Sequence, residues 1–91
     1  MARDALIEVS GEWTQLTAGD VSAITFENQG TEILIRVTVG AVSPSGTGGL
    51  AYPPKTGEAN TLLSDLAPGV SGGNRVYARS DFGASVWVSH A

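Results

Sequence analysis

Hydrophobic and polar positions alternate most clearly between residues 21 and 39, VSAITFENQGTEILIRVTV. In the second half of this stretch Ile33, Ile35, Val37 and Val39 alternate with Leu34, Arg36 and Thr38. That is the period-2 pattern of a strand with one buried face. In the first half Ile24 and Phe26 share a face and Thr25 and Glu27 take the other. Between the halves, Asn28-Gln29-Gly30-Thr31 reads as a tight polar turn. The pattern predicts a β-hairpin that the other strands must cover.

Shorter alternations flank it. Residues 5–9 (ALIEV) and 12–16 (EWTQL, with Trp13 as its large apolar group) are two strand candidates separated by Ser10-Gly11. Residues 2–5 form an arm ahead of them. In residues 74–80 Val76 and Ala78 oppose Arg75, Tyr77 and Arg79; in residues 84–90 Val86 and Val88 oppose Ser85, Trp87 and Ser89. With Asp81-Phe82-Gly83 between them, these two segments read as a C-terminal hairpin. Residues 40–60 hold five glycines and three prolines, which predicts a long loop, with Leu50–Tyr52 pairing briefly along an edge. A loop of this length in a small domain is either a binding loop or a mobile connection. Residues 60–66 fit a single helical turn capped by Asn60 or a short extended piece equally well. Six to eight short strands with turn signals between them give the fold class: all-β, a small single-domain β-sandwich or barrel, jelly-roll-like, spanning residues 1–91.

The chain has 91 residues. At that size surface scaling leaves roughly 5,000 Å² exposed against roughly 13,500 Å² for the unfolded chain, enough for one thin core. Only 15% of residues are charged. The surface must therefore include exposed apolar groups, which points to a partner covering part of it. The net charge is −4, and the five bases (Arg3, Arg36, Lys55, Arg75, Arg79) are scattered. No basic stripe is present to follow a phosphate backbone, so nucleic acid is not an expected partner. No apolar run approaches the roughly 18 residues of a membrane span, and no signal-like run opens the chain. Synthesis in a cytoplasm is expected.

Catalytic chemistry is not in evidence. There is no cysteine, so disulfides and thiolate metal sites are excluded. The single histidine, His90, sits near the end of the sequence, where a firmly held catalytic position is not expected. The acidic residues do not cluster as metal ligands; Asp20, Asp65 and Asp81 fall in turn contexts where they would hydrogen-bond their own backbone. Gly46-Thr47-Gly48-Gly49 lacks the lysine and following helix of a phosphate cradle. Neither an enzyme nor a cofactor is expected.

The candidate contact residues are Tyr52 in the long loop, and Tyr77 and Trp87 with Arg75 and Arg79 on the C-terminal strands. Tyr77 and Trp87 each face away from the small aliphatic set of their strand. That face packs either a second sheet or a partner, and aromatic residues and arginine are enriched in interface cores. The aromatics also allow a sugar-stacking platform.

The ordered segments GEWTQLT, DVSAITFENQG, ILIRVTVG, the Gly/Pro loop, LAPG, RVYARS and SVWVSHA together resemble the small β-structured virion proteins of tailed bacteriophages. The resemblance covers most of the chain and rests on strands and turns, not on a site motif. It implies a capsid decoration, or cement, protein: a dimer or trimer on the outside of the head that binds the major capsid protein. Residues 40–60 and the N-terminal arm are then the expected contacting pieces. A tail, spike or neck component is the neighbouring alternative, and a carbohydrate-binding β-sandwich a more distant one.

Overall fold

The computed structural model describes residues 2–91. It is nearly all β, with strands β1 (Arg3–Val9), β2 (Thr14–Gln15), β3 (Ala23–Asn28), β4 (Ile33–Thr38), β5 (Leu50–Tyr52), β6 (Gly57–Leu62), β7 (Arg75–Arg79) and β8 (Ala84–His90), and one helical turn, α1 (Leu63–Leu66). Two four-stranded antiparallel sheets have the orders β1-β8-β3-β6 and β2-β7-β4-β5. They enclose a core built from the inward residues of both, among them Phe26, Ile33, Ile35, Val76, Val86 and Val88. The accessible surface is 4734 Å², close to the value the chain length demands.

The pairings have a simple rule. β1 pairs with β8, β2 with β7, β3 with β6 and β4 with β5. The chain is one long hairpin with its tip at residues 39–49, folded over into two layers, which is the winding of a jelly roll. The lateral edges are each pinned by a polar bond between layers. Arg3 Nη1 donates to the Leu16 carbonyl at 2.9 Å on one side, and the Tyr52 hydroxyl donates to Glu58 Oε2 at 3.0 Å on the other.

This winding corrects both expected hairpins. β3 and β4 lie in different sheets, as do β7 and β8. The turns between them are arches that carry the chain across the core. Alternation identified the buried faces of β3, β4, β7 and β8, with Ile24, Phe26, Ile33, Ile35, Val37, Val76, Val86 and Val88 all buried; Val39, in phase with the β4 set, lies beyond the end of that strand and is exposed. Alternation carries no information about which strand lies alongside, and a tight polar turn serves an arch as well as a hairpin.

Other elements shift too. The segment 12–16 contributes only Thr14–Gln15 as a strand. Arg3, Asp4 and Ala5, read from sequence as part of an arm, are ladder residues opposite His90, Ser89 and Val88. Of residues 40–60, Leu50–Tyr52 does pair along an edge, against β4, but Gly57–Leu62 is a full strand. It was hidden because GEANTL does not alternate: it is an edge strand with a bulge, and Asn60 has φ 46°. Its glycine is required, since a Cβ on Gly57 would lie on the Phe26 carbonyl oxygen. The ambiguous segment 60–66 is both things in turn, extended to Leu62 and helical from Leu63. Leu62 is the N-cap in place of Asn60 and makes no side-chain cap bond.

The arch after β3 is organised by Asn28, which is fully buried. Its Nδ2 donates to the carbonyls of Thr31 (2.6 Å) and Tyr52 (2.9 Å), and its Oδ1 accepts the Gly30 N–H (2.9 Å). Its own N–H donates to the Thr56 carbonyl (2.9 Å) and its carbonyl accepts the Lys55 N–H (2.6 Å). Removing the amide takes away its bonds to two carbonyls and an N–H and leaves a hole at a fully buried position. Asn28→Ala is therefore expected to lower unfolding stability by about 2–4 kcal/mol, read by urea denaturation. A loss below about 1 kcal/mol would show that this amide does not hold the arch.

Candidate functional site

The two outer faces of the sandwich are treated differently. On the β2-β7-β4-β5 sheet, segment 39–49 is tied down over the strands. Trp13 Nε1 donates to the Gly46 carbonyl at 2.9 Å, and Arg36 Nη1 donates to the carbonyls of Ser45 (3.3 Å) and Gly48 (3.2 Å). Under this cover Tyr77 is buried, its hydroxyl donating to Gln15 Oε1 at 3.0 Å. Arg79 is also buried. Its guanidinium lies 6.0 Å from the Trp13 ring centre, donates to the Gly11 carbonyl at 3.0 Å and pairs with Asp81 at 2.7 Å. Arg75 pairs with Asp20 at 2.7 Å. These three candidates serve the fold.

Tyr52 is half-buried at the opposite edge, its ring edge-on to Phe26 with centres 4.9 Å apart. Burial, the hydrogen bond it donates to Glu58 and the negative charge of that carboxylate push its hydroxyl up to about 12. Trp87 alone of the five is substantially exposed, at 38%. It lies on the outer face of the β1-β8-β3-β6 sheet, so Tyr77 and Trp87 sit on opposite sides of the molecule and form no common platform.

The face around Trp87 is uncovered. Leu6 and Glu27 are its cross-strand neighbours. Leu6 is 46% exposed and Leu62, on the edge strand of the same face, 49%. Asp4, Glu8 and Glu27 are exposed on this face, and Ser85 Oγ donates to Glu8 at 2.7 Å. No base accompanies them: Arg36, Arg75 and Arg79 belong to the other sheet, Arg3 turns toward Leu16, and Lys55 is in the β5–β6 turn. The result is a face on which Leu6 and Trp87 lie side by side among the carboxylates of Asp4, Glu8 and Glu27, with Leu62 apart from them at the edge, opposite Ala23. Phe82, 90% exposed in the β7–β8 arch, is a second apolar projection.

Two of these residues were not singled out from the sequence, though signals existed. Leu6 is in phase with Glu8, and Ile7 with Val9, which marks Leu6 as outward. Phe82 lies between Asp81 and Gly83 in a turn, with no sheet face to lie on.

One cleft of about 280 Å³ opens between Asp20, Ser22, Asn60, Ser89 and His90. His90 is held firmly despite its late position: it is buried in β8, Nε2 accepts the Ala18 N–H at 3.0 Å, and Nδ1 lies 3.0 Å from the Ala91 carbonyl oxygen. Both ring nitrogens are thus engaged by backbone, and Asp20 is engaged by Arg75. The imidazole ties the end of β8 to the segment after β2. Among the described residues no three His, Asp or Glu side chains converge as metal ligands. The chain matches no family model, no curated protein and no solved structure.

The site geometry yields two expectations. Because the folded Tyr52 hydroxyl titrates near 12 and the unfolded one near about 10, its contribution to stability is intact below about pH 10 and fades as pH rises toward about 12. Absorbance at 295 nm should show a late phenolate rise that Tyr52→Phe removes; a rise for that residue centred near the ordinary value would refute the Glu58 contact. In a Trp13→Phe variant, quenching of the remaining Trp87 fluorescence, each ion referred to its quenching of N-acetyltryptophanamide, should be relatively stronger for caesium than for iodide, because carboxylates surround it. Equal relative quenching would mean the face carries no effective negative field.

Proposed function

We propose that this chain is a virion structural protein of a tailed bacteriophage, a head decoration protein that docks on the assembled major capsid protein and stabilises the shell. The observation that carries the reading is the uncovered sheet face around the adjacent Leu6 and Trp87 on a domain that spends its own long loop covering the other side. Exposed apolar surface of this kind marks protein contacts, and an aromatic at its centre is the usual anchor of such contacts. The sequence resemblance supplies the virion context, and the jelly-roll winding is compatible with it without assigning it. A protein that binds only the assembled shell stabilises it by mass action. Assembly as a homo-oligomer belongs to the same proposal.

A tail or neck position would use the same face. A glycan-binding role has one observation in its favour, the exposed Trp87 ring beside Glu27, Ser85 and Ser89.

Electron cryo-microscopy of the phage particles that carry this protein separates these readings. Density repeated over the head lattice, with Trp87→Lys weakening binding of the purified protein to heads at least tenfold while its circular dichroism is unchanged, is the expected result. A few copies at a vertex or on the tail would move the assignment there. Absence from purified particles, together with a glycan-array hit that Trp87→Ala abolishes, would replace it.

A further inference from the structure

Four strand edges bound the two sheets, and they are not equivalent. β2 has two residues and β5 three. β6 is interrupted by a bulge, with Asn60 at φ 46°. β1 is different: seven residues, paired with β8 in unbroken register from Arg3↔His90 to Val9↔Ala84. It contains no proline, glycine or lysine. No side chain or loop among the described residues bonds its outward backbone groups. Its three charges, Arg3, Asp4 and Glu8, are a usual means of blunting such an edge, but they leave its outward backbone groups open to a strand of complementary charge.

We infer that β1 is a strand-addition site for an extended segment of a partner protein with a basic–x–apolar–x–basic pattern. The side chains of β1 determine this. On the outer face an added strand meets Asp4, Leu6 and Glu8, all exposed. Cross-strand pairs of opposite charge and of apolar groups are the favourable ones. Lysine or arginine therefore belongs opposite Asp4 and Glu8, and an aliphatic residue opposite Leu6. On the inner face the added strand meets Ala5 and the partly buried Ile7, which packs against the core. The two intervening positions are therefore aliphatic. The pattern is symmetric about Leu6, so charge leaves either strand direction open.

A second copy of this chain is disfavoured at the same edge. Antiparallel self-pairing centred on Leu6 sets Asp4 against Glu8 of the other copy, twice, and parallel pairing in register sets each carboxylate against itself. Like charges directly opposite are destabilising.

The inference does not need the virion reading, since any protein offering such a segment would fit. The test uses the full chain and a synthetic peptide, threonine–lysine–valine–leucine–valine–lysine–threonine, with a glutamate-for-lysine peptide as control. Binding is followed by amide hydrogen exchange resolved by residue. The lysine peptide should protect amides in residues 3–9 and bind at least tenfold more tightly than the glutamate peptide. The double variant Asp4→Lys with Glu8→Lys, two exposed substitutions, should reverse that preference. Absence of binding, protection confined to β6, indifference to peptide charge, or concentration-dependent self-association through residues 3–9 would each overturn the inference. Head binding that persists when the peptide fails leaves the proposed function standing, and peptide binding by a protein absent from particles leaves the edge standing.

Discussion

The side-chain amide of Asn28 has no exposed surface, yet all of its hydrogen-bonding capacity at the arch is directed to backbone groups of the turn that follows β3 and of β5. Its main chain holds the β5–β6 turn as well. One residue therefore sets where the chain leaves one sheet, where it enters the other, and where the distant β5–β6 segment docks. A buried polar group partnered in this way specifies a geometry that apolar packing alone would leave open. β3 and β4 then lie in different layers, β4 between β5 and β7 and β3 between β6 and β8.

The same division of layers explains why the two outer faces differ. The tip of the folded hairpin, residues 39–49, returns over the β2-β7-β4-β5 sheet because Arg36 and Trp13 offer donors to its carbonyls. Glycine and proline make that segment poor strand and good cover. Among the described residues no loop does the same for the β1-β8-β3-β6 sheet. Apolar and acidic groups therefore remain side by side in water on that face, while the aromatic and arginine residues of the other are absorbed into structure.

The all-β class, the buried faces of β3, β4, β7 and β8, and the edge pairing of Leu50–Tyr52 were legible from alternation. The partners of the strands were not, because period 2 is a local property and a jelly roll joins residues far apart in the chain. β6 escaped notice because an edge strand beside a bulge needs no alternation. Of the candidate contacts only Trp87 was both legible and exposed. Tyr77 and Arg79 carry the same outward phase but are buried by Gln15 and by Gly11 with the Trp13 ring, and no local pattern announces contacts between segments so far apart in the chain. Arg75 is claimed by Asp20, remote in sequence, and Tyr52 by Glu58 across the β5–β6 turn, a contact that exists only because residues 57–62 form a strand.

β8 lies in the middle of its sheet, flanked by β1 and β3. During translation, then, β1 has to wait for β8. β1 emerges from the ribosome with Leu6 and Ile7 unsheltered, and its neighbour in the ladder is synthesised some eighty residues later. Vectorial, strand-by-strand folding is closed to this topology, and the nascent chain must stay uncommitted until residues 84–90 are free. A chain with so few charges to keep it apart from its neighbours on a polysome is exposed to mispairing throughout that interval.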